Sequence, residues 1–335
     1  MKKYRVIIGI DVSKNKLDVC FLLDPHSKQL SFLVVSNDRK GISKILSVFT
    51  KLEICIRDTL FCFENTGIYS LSLACYLEDL KTDYWEIPAI EIKRSKGISR
   101  GKNDKTDARD IAFYAYTHIH KLKLSKLPEK DILKLKLLIS ERGKLLKSIQ
   151  IFEMTNEIKG FIQNDIYKEV FSVNRKTLKS LRKHLLEVEQ KIQAIIKDNH
   201  EISTQKELIQ SVTGVGPQTA IYLIITTKCF KSFSNWRKMA CYAGIAPFPY
   251  QSGSSIRGKT KVNHLADKKL KSLLTMCALS AKKHDKEIAL YYQRKVNEGK
   301  NPMLVLNSIK CKLLSRVFAT INRGTPYVNT CKFAA

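Results

Sequence analysis

The sequence predicts an α/β domain followed by a mainly helical second half, and three observations carry that reading. Short β-branched runs alternate with helical spacing in roughly the first 125 residues. A long stretch with apolar residues at every third and fourth place fills the middle. The remainder returns to mixed helical segments punctuated by Gly and Pro. At 335 residues the chain is long enough for two or three domains of about 100–200 residues each.

Element by element, Tyr4–Val12 is β-branched and apolar, and Leu17–Leu23 follows it after a polar turn containing Lys14 and Asn15. With Ser31–Val35 as a third short strand, this start reads as an antiparallel meander. Ile42, Ile45, Leu46 and Phe49 then recur at helical spacing. Leu60–Glu64 is a buried strand closed by Asn65-Thr66-Gly67, Ile68–Leu80 a helix, Tyr84–Ile87 a strand and Thr106–Ile119 a helix. Three strands followed by helix, strand, helix, strand and helix is the order of a ribonuclease H-like domain.

After Pro128, the apolar positions Leu135, Leu138, Leu145, Ile149 and Phe152 fall on one face, with Arg142 in the seam. Past a break near Gly160, Leu178, Leu181, Leu185, Val188, Ile192 and Ile195 form a strict seam with charged flanks. Such seams suit a coiled coil or an antiparallel helical hairpin, and low Gly and Pro content favours a projecting hairpin that dimerises. From about residue 205, Leu208–Val212, the turn Thr213-Gly214-Val215-Gly216-Pro217 and Gln218–Thr226 read as a helix-hairpin-helix. Gly214 and Gly216 would let backbone N–H groups approach a phosphate at the next helix start. Pro and Gly interspersed with Ser from Ala243 to Lys259 forbid a helix and predict an ordered functional loop. The expected domains are 1–125, 126–204 and 205–335.

Lys and Arg number 59 against 31 Asp and Glu, a formal net charge of +28. Folding does not need that excess; it attracts polyanions, and nucleic acid is the commonest. A membrane surface is disfavoured because the basic residues are spread along the chain instead of forming one amphipathic basic helix. Hydrophobic residues at 44% and charged residues at 27% mark a globular composition, not a disordered one. No apolar run approaches the ~18 residues of a membrane span. MKKYRVIIGID reaches Asp11 after too short an apolar stretch for a signal peptide, so a cytoplasmic protein acting at the nucleoid is expected. The nine cysteines include no C-x-x-C pair and read as core thiols, and His118 and His120 are poorly spaced for a shared metal.

Acidic residues stand where they are expensive. Asp11 follows the apolar run VIIGI and Glu64 ends LFCFE; each requires a cation or hydrogen-bond donors. Asp104 and Asp107, three apart, project from one face at a helix start. In a ribonuclease H-like sheet the first and fourth strands are neighbours, and the last helix brings its carboxylates over them. Four clustered carboxylates repel unless divalent cations neutralise them, and hard oxygen ligands suit Mg²⁺. Two ions about 3.5–4 Å apart would activate a nucleophile and stabilise a leaving oxygen in phosphoryl transfer. Taken singly, Asp11 reads equally as a turn former and Asp104 as a helix cap. The glycine-rich loop adds Ser252, Ser254 and Ser255, with Arg257, Lys259 and Lys261 close behind to stabilise a pentavalent phosphate. Tyr250 is an equally possible nucleophile, and spacing alone does not choose among them.

The set GIDVSK at 9–14, FENTG at 63–67, KNDKTDARDIA at 102–112, GVGPQTA at 214–220 and FPYQSGSSIRGK at 248–259 resembles the DEDD-type insertion-sequence transposases. This is the "IS one-ten" family, to which the Piv-type DNA invertases are related, and the resemblance runs from about residue 5 to residue 325. It implies a RuvC-like domain whose Asp11, Glu64, Asp104 and Asp107 hold Mg²⁺, and a C-terminal transposase domain whose Ser252 is the nucleophile. It implies a covalent phosphoserine link to DNA, strand exchange through a junction-like intermediate, and a bridge RNA that pairs with donor and target DNA. It also implies homodimers that assemble to tetramers. The chain departs from relatives at His264-Leu265-Ala266, which lacks a glycine, and at Leu270-Lys271, where Lys replaces Arg and removes a bidentate fork. Other readings of the same acids are a RuvC-like junction nuclease using water, and a non-catalytic RNA/DNA-binding scaffold. An actin-like sugar kinase is disfavoured because Ser13-Lys14-Asn15-Lys16 replaces the glycine-rich phosphate turn.

Overall fold

The computed structural model describes residues 4–24, 29–95, 104–154, 161, 163–252 and 256–329. The chain separates into two compact units, Met1–Leu127 and Pro128–Ala335.

In the first unit, β1 (Val6–Val12), β2 (Lys16–Asp24) and β3 (Gln29–Ser36) form the antiparallel meander that their β-branched alternation dictates. The turn between β1 and β2 is closed by Ser13, whose N–H and hydroxyl both donate to the Lys16 carbonyl, at 3.0 and 2.9 Å. After α1 (Arg39–Lys51), β4 (Thr59–Glu64) lies parallel beside β1; after α2 (Ile68–Asp79), β5 (Tyr84–Ile87) lies parallel beside β4. The result is a mixed five-stranded sheet in the order β3-β2-β1-β4-β5.

Strand periodicity sorts the side chains into two cores. Ile8, Ile10, Val19, Phe21, Phe61 and Phe63 pack with Ile42, Ile45 and Phe49 of α1 and with Leu73 and Leu77 of α2. On the opposite face Ile7, Cys20, Leu22, Leu60, Cys62, Trp85 and Ile87 pack with Ala108, Ile111, Ala112 and Ala115 of α4 (Asp104–Thr117). Between β5 and α4 comes α3 (Ala89–Ser95). Alanines at the contact let α4 come very close to the sheet. A Cβ on Gly9 of β1 would fall 2.2 Å from the Ala108 carbonyl oxygen and 2.5 Å from the Ala112 nitrogen. No larger residue fits at that position.

In the second unit, α5 (Lys130–Met154) and α6 (Asn164–Asp198) run antiparallel. Arg142 occupies its seam position because Glu189 of the facing helix accepts from its Nε at 2.8 Å. The base of this pair is not free-standing: Ile132, Leu135, Ile139, Ile192 and Ile196 belong to one continuous core with the helices that follow. Those are α7 (His200–Gln210), α8 (Pro217–Thr227), α9 (Trp236–Tyr242), α10 (Lys268–His284), α11 (Lys286–Asn297) and α12 (Pro302–Arg323). Side-chain caps at Asn199, Asn235, Asp267 and Asp285 begin α7, α9, α10 and α11, satisfying N–H groups that each helix start leaves open.

One expectation is corrected here. The Pro- and Gly-rich stretch, expected to be an ordered loop, contributes an antiparallel hairpin of β6 (Pro247–Ser252) and β7 (Ile256–Val262). Pro247 and Pro249 are two apart, so both missing N–H groups fall on one edge, and a two-stranded ribbon needs only its other edge bonded. No helix among the described residues is long and apolar enough to cross a membrane.

Candidate functional site

The acidic site follows from strand alternation. Asp11 lies on the face of β1 that holds Ile7 and Gly9, and Glu64 lies on the face of β4 that holds Leu60 and Cys62. Both therefore face the layer that α4 covers. The absence of a side chain on Gly9 lets the first turn of α4 settle over Asp11. Carboxylate oxygens of Asp11, Asp104 and Asp107 come within 4.8 Å of one another, each from a half-buried side chain. Glu64, at the last position of β4, stands outside this tight group but close enough for its charge to act on Asp11.

The electrostatics record the crowding. Burial first, then the charges of Asp107, Asp104, Asp18 and Glu64, raise the Asp11 carboxyl from 3.8 to about 6. Two further participants come from β2. Asp18 is the direct cross-strand partner of Asp11 and only 4% exposed. Lys16, at the start of β2, places its Nζ 2.7 Å from Asp104 Oδ2 and 3.0 Å from Asp18 Oδ2. Asp104 and then Asp18 raise this ammonium to about 12. A set of hard oxygen donors, one of which is held protonated up to about 6 by burial and by neighbouring carboxylates, fits a divalent cation such as Mg²⁺. Asp11, Asp104 and Asp107 could hold it.

Reading the sequence missed Asp18, Lys16 and the reason for Gly9. The signals were present: an Asp inside an apolar strand, and a glycine between two isoleucines, which marks a close backbone approach.

The other expected site residues lie in the second unit. Ser252 ends β6 opposite Ile256, Arg257 pairs with Gln251, and Lys261 is exposed opposite Phe248. Ser254 and Ser255 lie outside the described residues, as do the side chains of Ser252, Arg257 and Lys259. Gly214 has φ +95° and faces α10, where a Cβ would meet Ala281 at 2.7 Å. Gly216 begins α8, and its N–H is turned to the Cys277 thiol, whose acidity is governed first by burial. Gly214 thus has an internal packing role, whereas a Cβ on Gly216 would meet open space.

An α/β domain with an acidic cluster beneath a helix start, joined to a helical unit in a strongly basic chain, suits an enzyme that acts on nucleic acid. Residues 8–164 match the DEDD transposase model of the IS110 type, described as Transposase. Residues 206–293 match the model described as Transposase IS116/IS110/IS902 family. The chain belongs to the IS110 family of transposases. Over 328 residues it is 25% identical to the pilin gene-inverting protein of Moraxella bovis, covering 96% of this chain and 98% of that one. The pilin gene-inverting protein of Moraxella lacunata matches to the same extent. A shorter match, 31% over 120 residues, covers 36% of this chain and 29% of an insertion element IS110 protein of Streptomyces coelicolor.

Proposed function

We propose that the protein is a site-specific DNA recombinase in which the acidic cluster and Ser252 act on one phosphodiester. The observation that carries this reading is the convergence of Asp11, Asp104 and Asp107 within 4.8 Å, with Glu64 beside them. In this reading the four carboxylates of a RuvC-like domain hold Mg²⁺, which when bound polarises the phosphate and steadies the leaving oxygen. Ser252 supplies the nucleophile: its Oγ forms a bond to phosphorus, the P–O3′ bond breaks, and the 3′ oxygen leaves with a proton. The product is a 5′-phosphoserine link that conserves the phosphodiester's energy for rejoining. Lys261, with Arg257 and Lys259, meets the added charge of the pentavalent phosphate. Lys16 orients Asp104 and Asp18 before the cation enters.

The relatives' printed names, a gene-inverting protein and an insertion-element protein, support strand exchange over simple cleavage. A bridge RNA would choose donor and target DNA, and the helical pair α5–α6 would serve dimers and tetramers through its seam, as a coiled coil. The turn at Gly214 and Gly216 would act as a helix-hairpin-helix contact to the DNA backbone.

The test is a denaturing gel for protein–DNA adducts, with cognate DNA, RNA and Mg²⁺. Wild type is expected to give a covalent complex that Ser252→Ala and Asp11→Ala both abolish. Free cleaved ends without any adduct would establish water as the nucleophile, and full recombination by Ser252→Ala would sink the composite mechanism.

A further inference from the structure

The β6–β7 hairpin exposes an aromatic face that the chemistry above does not use. Phe248 is 45% exposed and Tyr250 66% exposed, two residues apart on one strand, so both rings stand on the same face. Large exposed aromatics in a polar, basic segment are costly to leave in water and mark a binding surface. The partner strand is built around them. Phe248 pairs with Lys261 and Tyr250 with Gly258, although 258 and 261 have opposite parity and belong on opposite faces of a regular strand. The register shift between the two pairs corrects that parity and brings Lys261 to the aromatic face. Gly258 has its own reason to be glycine: a Cβ there would lie 2.8 Å from Tyr250 Cδ1, so the ring rests across the facing backbone. Phe248, Pro249, Tyr250, Gly258, Lys261 and Asn263 line one shallow cavity, to which Lys261 brings a cation and Asn263 an amide.

We infer that this cavity holds an unstacked nucleobase of the DNA strand. The aromatic rings offer stacking faces, which every base accepts. The Lys261 ammonium meets the adjoining phosphate, and the Asn263 Nδ2 offers a donor to a base edge while its Oδ1 accepts from the Leu265 N–H at 2.9 Å. The inference deepens the proposed reaction: Tyr250 is two residues from Ser252 on β6, so the captured base belongs to a nucleotide beside the attacked phosphate. Pulling that base from the stack would fix the backbone and supply a local preference for sites that open easily. A second protein copy would also cover aromatic rings, but the exposed lysine and the +28 charge favour a polyanion.

The experiment uses the full chain and DNA carrying 2-aminopurine, whose fluorescence falls on stacking, placed either in an unpaired bubble or within intact duplex. Wild type is expected to quench the bubble probe and to bind bubble more tightly than duplex. Tyr250→Ala and Phe248→Ala should each lose quenching and about five- to hundredfold in bubble affinity, with duplex affinity unchanged. Tyr250→Leu, which keeps apolar bulk, should behave like Tyr250→Ala, and Tyr250→Trp should restore binding. Lys261→Ala should lower the salt slope by about 1. Wild-type quenching by Tyr250→Ala, equal losses on bubble and duplex, or a change of oligomeric mass with DNA binding intact would each overturn the inference. None of these readouts requires strand transfer, so failure here is distinct from failure of the serine mechanism.

Discussion

Asp11→Asn tests the acidic cluster without any DNA. In the folded protein the Asp11 carboxyl holds its proton to about 6 against an ordinary 3.8, chiefly through burial and then through the neighbouring carboxylates. The neutral form is therefore the one the fold prefers. This contribution is fully present below about 4 and is lost as pH rises through about 6. Above that pH an ionised Asp11 opposes folding. Each tenfold change in acidity is worth about 1.4 kcal/mol, so the displacement corresponds to about 3 kcal/mol. The side chain is only partly buried, and solvent screening brings the expected effect to about 1–2 kcal/mol.

At pH 7.5 in EDTA, the neutral and isosteric Asp11→Asn variant should melt roughly 3–10 °C above wild type in the N-terminal unit. The difference should vanish near pH 4. Trp85 is buried in that unit, and its fluorescence in a Trp236→Phe background reads the transition. Mg²⁺ should reverse the order, since a ligand that binds only the folded state raises the melting temperature and Asn removes a ligand charge. A variant that melts at or below wild type in EDTA, with a gap that ignores pH, would refute the claim that the cluster is held together against its own repulsion.

Two other changes test what holds the site and the second unit. Gly9→Ala drives a methyl into the backbone of α4 at Ala108 and Ala112 and should destabilise by about 1–3 kcal/mol or more, with the thermal response to Mg²⁺ reduced even where the protein remains folded. Wild-type melting and a full Mg²⁺ response would refute the close-packing argument. Asp285 is 1% exposed; it caps α11 through the N–H groups of Glu287 and Ile288 and accepts from Arg316 at 2.7 Å. Asp285→Ala opens the helix start and removes one of the two carboxylates on Arg316, which keeps Glu287, and should cost about 2–4 kcal/mol in chemical denaturation.

Much of this fold is legible in the sequence because local pattern and tertiary demand agree. The strands of the first unit are β-branched and the helix α4 carries alanines on its inner face, so both read correctly. Leu178 and Ile192 lie buried in the seam that apolar spacing marks, and Arg142 is accommodated there by Glu189. The β6–β7 hairpin is different. Pro247, Pro249 and Gly258 are poor strand formers, and only the bulge, the Tyr250–Gly258 contact and the absence of a required third strand make them compatible with pairing. Those are facts about the partner strand, which a local reading does not see. Asp104 and Asp107 announce themselves by helical spacing, whereas Asp18 matters only because register sets it opposite Asp11. Glu64 shows the limit from the other side: its strand is legible, but whether it joins the tight carboxylate group depends on distances no pattern encodes.

The packing at Gly9 and the charge at Asp11 belong to one design. Carboxylates that repel move apart unless something rigid keeps them together, and helix α4 is the element free to move. Ala108 and Ala112 lock it onto β1 through contacts that tolerate no added atom, on the side of the sheet where Cys20, Cys62 and Trp85 complete the core. Close packing thus supplies the stability that the acidic cluster subtracts, and it does so within the same first turns of the helix. Lys16 offsets part of the repulsion from the β2 side, on Asp18 and Asp104, while burial and the surrounding carboxylates still raise Asp11. A cation entering between Asp11, Asp104 and Asp107 would relieve that repulsion. Close packing around one absent side chain in β1 would then hold the three carboxylates in place for such a cation.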